Sequence, residues 1–220
     1  MKRIVIICEG QTEQEFCSKM LSNHLSSYDV FIQAPRIKRS HGGIVHWDQL
    51  KKQVELTLRT EPQSFVTTLI DYYGLYDKYK FPGWDEAETI ADKNERMDFL
   101  ESQMKADIDE SLRHRFIPYL QLHEFEGLLF CKADVFTQLV PERELVGLQE
   151  LEKVIAQNPN PEMINNTRET SPSHRLERII AGYHKIVYGN ILAETIGLPT
   201  IRTKCPRFNH WLTTLESLNN

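Results

Sequence analysis

An unbroken apolar run near the amino terminus constrains the fold of this chain more than any other feature. The run extends from Ile4 to Cys8, is rich in β-branched residues, and ends at Glu9-Gly10. A short apolar run without polar alternation is typical of a strand buried on both faces, as strands are in parallel sheets. Apolar residues then recur at helical spacing up to Leu25, and Thr12 with Glu15 has the spacing of a helix capping box. The sequence therefore predicts a strand, a tight turn and a helix.

The same alternation of strand and helix continues along the chain. We predict further strands at 28–34, 65–70 and 116–122, a helix that starts at Trp47 and ends before Pro62, and a long helix over 85–113. Alternating strands and helices favour βαβ units, a parallel sheet and right-handed crossovers. After Cys131 helical periodicity dominates. We therefore predict an α/β core over residues 1–131, with a mostly parallel Rossmann-like sheet flanked by helices, and a helical C-terminal extension over 132–220 packed on it.

Composition excludes several classes of protein. The chain has 220 residues and a formal net charge of −5, with 40% hydrophobic residues, which is typical of a folded soluble domain. No segment approaches the ~20 apolar residues needed to cross a bilayer, and the start is too short for a signal peptide. Four widely spaced cysteines indicate neither a disulfide framework nor a zinc knuckle. We expect a cytoplasmic protein without a membrane partner, and the acidity disfavours nonspecific nucleic-acid binding.

Acidic residues occur where the predicted strands end. Glu9 follows the first strand, Asp71 the third, and Glu124 and Glu126 the fourth. In an open parallel sheet, ligands bind outside the carboxyl ends of the strands. We therefore expect these side chains to meet at one rim, and Glu124 and Glu126, two residues apart in extended chain, to point to the same face.

Such a carboxylate cluster needs a positive partner to stay ionised. Mg²⁺ and Mn²⁺ prefer oxygen ligands, and paired metals support phosphodiester hydrolysis. The alternative for each residue alone is structural: Glu9 as a helix cap, or Asp71 as the start of a turn. The coincidence at three strand ends favours a shared site.

Several motifs resemble known proteins when taken together. The segment Glu9-Gly-Gln-Thr-Glu13 resembles the opening of TOPRIM domains, and its Glu-Gly-x-Thr-Glu form is similar to that of the overcoming-lysogenization-defect (OLD) nucleases. Further motifs are Leu69-Ile-Asp-Tyr-Tyr-Gly-Leu75, His123-Glu-Phe-Glu-Gly-Leu-Leu-Phe130, Pro161-Glu162, Ser171-Pro-Ser-x-Arg175, Tyr183-x-Lys185, Gly189 and Cys205-Pro-x-Phe-x-x-Trp211. With them the chain resembles, over nearly its whole length, the family called domain of unknown function 4276.

This resemblance implies a TOPRIM-like core and a set of site residues. Glu9 matches the TOPRIM glutamate, a general acid/base or metal ligand, and Glu13 matches the second glutamate of the OLD-type motif. Asp71 matches the first aspartate of an Asp-x-Asp pair, whose second position holds Tyr73 here. The resemblance also implies a partner, because such proteins are often encoded beside an AAA or ABC-type ATPase in bacterial phage-defence loci.

Other side chains leave alternatives open. We infer that Glu124 and Glu126 replace the missing aspartate. Lys185 either stabilises charge on a phosphate or is a solvated helical lysine. The basic loop from Arg36 to Gly43 is a candidate for backbone contact with nucleic acid. The tyrosines after Asp71 either stack on bases or pack their loop, and we favour packing for most of them; they are Tyr72, Tyr73, Tyr76 and Tyr79.

Our leading hypothesis is a nuclease that depends on Mg²⁺ or Mn²⁺, cleaves DNA or RNA, and acts as a defence effector with an ATPase. We assign catalytic roles to Glu9, Asp71, Glu126 and Lys185, and metal binding to Glu9, Glu13, Asp71, Glu124 and Glu126. The alternative is a TOPRIM-like subunit without catalytic activity that binds and regulates the ATPase. A flavodoxin-like nucleotide-binding protein is a third reading, but Glu9-Gly10-Gln11 lacks the glycine-rich phosphate loop it needs.

Overall fold

A parallel sheet organises the first part of the chain. The structure is a computed structural model that describes residues 2–38, 43–165 and 167–219. Within these residues five strands form the sheet: β1 (Lys2–Cys8), β2 (Val30–Gln33), β3 (Ser64–Asp71), β4 (Phe116–Ile117) and β5 (Leu120–Gln121). The order is β2-β1-β3-β4, β5 also pairs with β3, and every pair is parallel. The predicted α/β class with a parallel sheet is confirmed.

The position of β1 between two other strands explains its burial. Ile6, Ile7 and Cys8 have no exposed surface, because β1 has a strand on each side and helices cover the sheet. The register with β3 runs from Arg3 opposite Ser64 to Cys8 opposite Leu69.

The helices of this part connect the strands. They are α1 (Gln11–Phe16), a π-helical segment (Cys17–Leu21) that continues directly into α2 (Ser22–Ser26), α3 (Trp47–Thr60), α4 (Trp84–Thr89) and α5 (Lys93–Asp107). The predicted helix from Trp47 to before Pro62 is confirmed as α3.

Two predicted elements are divided in the structure. The strand predicted at 116–122 is split into β4 and β5, because Pro118 lies between them and has no N–H to donate to a neighbouring strand. The helix predicted at 85–113 is two helices, α4 and α5. Asp92 is the N-cap residue of α5, since its Oδ1 accepts hydrogen bonds from the amides of Asn94 (2.8 Å) and Glu95 (3.0 Å).

The chain divides into two compact units, residues 1–122 with 213–220 and residues 123–212. The second unit contains α6 (Asp134–Leu139), α7 (Leu148–Gln157), α8 (Pro172–Ile179), α9 (Lys185–Ile196) and α10 (Leu198–Lys204), while α11 (Pro206–Glu216) runs from the second unit into the C-terminal segment of the first. The helical character predicted for the C-terminal part is confirmed. Among the described residues, no helix is both long and apolar enough to cross a bilayer.

Candidate active site

The carboxyl ends of β1 and β3 form the candidate site of the first unit. β2 pairs with one edge of β1, and β3 pairs with its other edge. The chain that follows β1 therefore goes first to one neighbour of this strand and then crosses to the other. β1 and β3 flank a topological switch point, where open α/β sheets bind ligands.

Glu9 and Asp71 are brought together at this switch point. Glu9 follows the last residue of β1, and its amide donates to the carbonyl oxygen of Leu69 at 3.1 Å. Asp71 is the last residue of β3, and its amide donates to Oε2 of Glu9, also at 3.1 Å. The Asp71 side chain is buried and Glu9 is half-buried. The Glu9 carboxylate contacts the backbone of Asp71, and acids in a poorly solvated environment favour a bound cation.

Glu13 caps the helix that follows β1. Its Oε2 accepts a hydrogen bond from the amide of Gly10 at 2.8 Å, and the side chain is only 2% exposed. A Cβ on residue 10 would lie 3.0 Å from the same oxygen, so glycine leaves room for this cap. The prediction that Thr12 and Glu15 form a capping box is wrong, because the N-cap residue is Gly10 and the Glu13 side chain accepts from its amide.

Glu124 lies in the second unit and caps another helix. Its Oε2 accepts from the amide of Ser173 and its Oε1 accepts from the Ser173 hydroxyl, each at 2.9 Å. Ser173 lies in the first turn of α8, whose free amides favour an anion. Burial raises the pKa of Glu124, the Ser173 amide opposes that shift, and the nearby charge of Glu126 adds to it.

Glu126 is fully buried and faces Lys185. Its Oε1 lies 3.0 Å from Nζ of Lys185, the first residue of α9, while its Oε2 accepts no hydrogen bond from any described residue. The prediction that Glu124 and Glu126 share a face of an extended strand is wrong. Glu126 belongs to a 3-10 turn (Phe125–Leu129), which begins because the Gly127 amide donates to the carbonyl oxygen of Glu124 at 3.0 Å.

Tyr183 belongs to the same electrostatic environment as this ion pair. Its hydroxyl is buried and finds no hydrogen-bond partner among the described residues. Burial raises the pKa of Tyr183 strongly, the charge of Glu126 raises it further, and Lys185 opposes the shift. The second unit therefore gathers Glu124, Glu126, Lys185 and Tyr183 in one polar cluster.

The residues of the first unit suit a hard divalent cation. Across the described ranges, no group of three or more His, Cys, Asp or Glu side chains is arranged to enclose a metal. Mg²⁺ does not need such a cage, since it is usually held by one or two carboxylates together with waters and substrate phosphates. Glu9 and Asp71 offer that donor set. The meeting of all five predicted carboxylates at one rim stays a prediction.

Sequence reasoning missed the roles of Ser173 and Tyr183. A signal for Ser173 was present, because Ser171-Pro172-Ser173 has proline at the first position of a helix, where it is favoured. Tyr183 is part of the motif Tyr183-x-Lys185, but nothing in the local sequence indicates that its hydroxyl is buried.

The basic loop and the tyrosines after Asp71 were the two other candidate regions. In the basic loop from Arg36 to Gly43, residues 39–42 lie outside the described residues. Among the tyrosines after Asp71, Tyr72 packs against Trp84 with ring centroids 6.0 Å apart, and its hydroxyl accepts from Arg96 at 3.2 Å. Tyr76, by contrast, is 54% exposed.

Comparisons with known proteins give one family and one solved structure. The model of the family described as domain of unknown function (DUF4276) matches residues 8–216. The solved C-terminal region of the OLD protein of Xanthomonas campestris pv. campestris is 18% identical, with a TM-score of 0.45, and the match covers 97% of this chain and 94% of that one. No curated protein matches the sequence. The fold assignment above is based on strand order and register.

Proposed function

This chain belongs to the DUF4276 family, and we propose that it is a nuclease that hydrolyses phosphodiester bonds of DNA or RNA with Mg²⁺ or Mn²⁺. The observation that carries the proposal is the pair Glu9 and Asp71, adjacent at the switch point of a parallel sheet and linked by a 3.1 Å hydrogen bond. Carboxylates drawn from distant parts of the sequence to one ligand-binding corner are what a phosphate-processing metal site requires.

Both acids of this pair would hold the cation. A divalent cation, when bound, lowers the pKa of a water molecule and offsets negative charge on phosphate oxygens. Glu9 and Asp71 would hold it, and the hydrogen bond from the Asp71 amide fixes the orientation of the Glu9 carboxylate. Because Asp71 is buried at the end of β3, it has little rotamer freedom to lose when it binds.

Glu126 and Lys185 form an ion pair within the second unit. The Lys185 side chain is 44% exposed, although its ammonium lies 3.0 Å from the completely buried Glu126. We propose that Lys185 neutralises charge that builds up on a phosphate oxygen. Glu126 holds the lysine and has a second oxygen that accepts no hydrogen bond from the described residues.

The resemblance to TOPRIM and OLD-type motifs adds a biological setting to the proposal. It implies an effector of bacterial phage defence that works with an AAA or ABC-type ATPase. Glu124 and Glu13 have smaller parts in this account, because each already caps a helix terminus.

A nuclease assay with two conservative variants tests the proposal. We expect Glu9→Gln and Asp71→Asn to lower metal-dependent cleavage of labelled DNA or RNA at least ~100-fold, since each removes a charge that would hold the cation. Glu15→Gln and Asp48→Asn are matched controls, because these two acids make surface pairs with Lys19 and His46. Cleavage by Glu9→Gln and Asp71→Asn at the wild-type rate would contradict the proposal.

A second candidate function is a regulatory subunit without catalytic activity that binds the ATPase. It is favoured by Tyr73, which occupies the second position of the Asp-x-Asp pair, and by the lack of a three-acid cage in the described ranges. A direct Mn²⁺ titration separates the two functions, because a regulatory subunit does not need a carboxylate site that binds a cation.

A further inference from the structure

The loop that follows β3, whose last residue is Asp71, presents aromatic rings to solvent. A 3-10 turn (Asp77–Tyr79) interrupts this loop. The rings of Tyr76 and Tyr79 lie nearly parallel, with centroids 6.4 Å apart and planes inclined by 24°. Lys78 places its ammonium 5.6 Å from the centroid of Tyr76 and 4.9 Å from that of Tyr79. We call these three residues the tyrosine-lysine platform.

Packing of the loop does not explain this arrangement. The apolar residues that anchor the loop are Leu75, Phe81 and Trp84, which are 4%, 3% and 8% exposed. Tyr72 is also engaged, with Trp84 and Arg96. Tyr76 is instead 54% exposed, although tyrosine is among the larger side chains that burial would stabilise.

The charge of this loop is opposite to that of the chain. Residues 72–84 contain two lysines and one aspartate, a net charge of +1, whereas the whole chain carries −5. Lys80 pairs with Asp77 at 2.7 Å, which leaves the Lys78 charge uncompensated within residues 72–84. A local positive charge on an acidic protein favours a negatively charged ligand at this place.

The platform is close to Asp71 along the chain. Tyr76 is five residues after Asp71 in the sequence, so the two Cα atoms are at most about 18 Å apart even in extended chain. The turn at 72–75, closed by the Leu75 amide donating to Tyr72, shortens that distance. A polymer that contacts Asp71 therefore comes within about 18 Å of the Tyr76 backbone.

We propose that Tyr76, Lys78 and Tyr79 bind a single-stranded stretch of nucleic acid, with bases stacked on the two rings and a phosphate beside the lysine. Every base has a π-face, so such stacking tolerates any sequence. In a continuous duplex those faces are covered by neighbouring bases, and the platform therefore selects single strands or unpaired ends. This inference rests on the proposed function, because it names the substrate class of that nuclease.

Binding in the absence of metal tests the platform without requiring catalysis. We suggest fluorescence anisotropy of a labelled oligothymidylate and of a matched duplex, with the full chain in EDTA. Replacing both rings (Tyr76→Ala with Tyr79→Ala) is expected to weaken single-strand binding at least roughly 5-fold, the lower limit for loss of one stacked base. Duplex binding is expected to be weak in both proteins.

Matched variants separate stacking from general effects. Tyr76→Phe with Tyr79→Phe keeps both rings and is expected to bind like wild type. Tyr28→Ala is a control for loss of an exposed tyrosine, since Tyr28 is 42% exposed in the same unit and contacts only His24 among the aromatic contacts described. Lys78→Gln is expected to lower the slope of log affinity against log salt by about 0.7, the value for one phosphate contact on a single strand.

The outcomes distinguish failure of the platform from failure of the proposed function. Equal single-strand binding by wild type and the double alanine variant would overturn the platform. A wild type that binds no single strands would also overturn it, and this result is expected if the rings instead contact a protein. If the wild type binds single strands through the rings but cleaves nothing with Mg²⁺ or Mn²⁺, the platform stands and the nuclease proposal fails. If the wild type cleaves nucleic acid and the double alanine variant binds single strands as well as wild type does, the nuclease proposal stands and the platform fails.

Discussion

The buried glutamates differ in which groups donate hydrogen bonds to their carboxylate oxygens. Glu13 and Glu162 accept backbone amides at helix starts, the latter from Arg207 and Phe208 of α11 at 2.9 and 3.0 Å. Glu124 caps α8 through Ser173. Such caps offset the cost of burying a charge. Glu126 is different, because it faces a lysine and its Oε2 accepts no hydrogen bond from the described part of the chain. That orphaned oxygen distinguishes a candidate for ligand binding from a structural acid.

Substitution of Glu13 separates its cap from a role in metal binding. Glu13→Gln keeps an oxygen that can accept from Gly10, so we expect the free energy of unfolding to change by less than about 0.5 kcal/mol, while Glu13→Ala costs about 1 kcal/mol. We expect Glu13→Gln to reduce Mn²⁺ affinity less than Glu9→Gln does. Urea unfolding and Mn²⁺ titration check both points. An equal loss of affinity in the two variants would assign Glu13 to the metal site.

Removal of Lys185 tests the ion pair with Glu126. Lys185→Met leaves a buried carboxylate without its cation, and we expect a loss of about 1–3 kcal/mol in the free energy of unfolding. This is less than for a fully buried pair because the lysine is partly solvated. Adding Glu126→Gln removes the stranded charge and is expected to restore more than half of that loss. A double variant as unstable as Lys185→Met alone would show that the pair has no such electrostatic role.

Individual site residues were predictable to different degrees. Glu9 and Asp71 could be identified because an acid directly after a buried strand has a defined place in a parallel sheet. The cap formed by Glu124 could not, since its partner Ser173 is 49 residues away in the sequence and only tertiary packing joins them.

At the scale of elements, the loop after α5 is fastened to α3 by a cluster around Asp109. Its Oδ1 accepts from the Ser111 hydroxyl at 2.6 Å and from the Ser111 amide at 3.0 Å, and Arg59 of α3 donates to Oδ2 at 2.6 Å. Hydrogen bonds from Ser111, followed by that from Arg59, lower the pKa of Asp109 to about 2.

This cluster predicts a pH dependence of stability. The folded pKa of Asp109 lies below the unfolded value of about 3.9, so its contribution to stability is present above pH ~4 and is lost as the pH falls toward about 2. We expect the free energy of unfolding to fall less steeply over this interval in Asp109→Asn than in wild type. Urea unfolding at a series of pH values measures it, with Asp48→Asn of α3 as control. Identical slopes in wild type and Asp109→Asn would contradict the assignment.

The elements themselves were largely predictable where local signals agreed. The apolar run of β1 and the periodicity of α3 were sufficient, because burial on both faces or on one helical face leaves a pattern in the sequence. The divided elements were missed for opposite reasons. Pro118 is a clear break in the sequence, but the prediction gave more weight to the apolar pattern around it. The gap between α4 and α5 depends on the cap by Asp92, which in the sequence resembles any other surface aspartate of a helix.

At the scale of the whole molecule, the negative charge and the proposed substrate have to be reconciled. A chain with a net charge of −5 repels a polyanion unless positive charge is placed where the polymer binds. In our account a divalent cation bound by Glu9 and Asp71 and the tyrosine-lysine platform provide it in the first unit. The remaining acidity predicts weak and selective binding rather than a general affinity for nucleic acid.

Direct Mn²⁺ binding is the measurement that tests the central claim most directly, because it does not require the substrate or the partner to be known. Free Mn²⁺ can be followed by electron paramagnetic resonance during titration with wild type, Glu9→Gln, Asp71→Asn and the control Glu15→Gln. We predict that wild type and Glu15→Gln bind Mn²⁺, and that Glu9→Gln and Asp71→Asn bind it at least ~10-fold more weakly, since each loses one anionic ligand. Unchanged Mn²⁺ affinity in Glu9→Gln and Asp71→Asn would contradict a metal site at the switch point of the sheet.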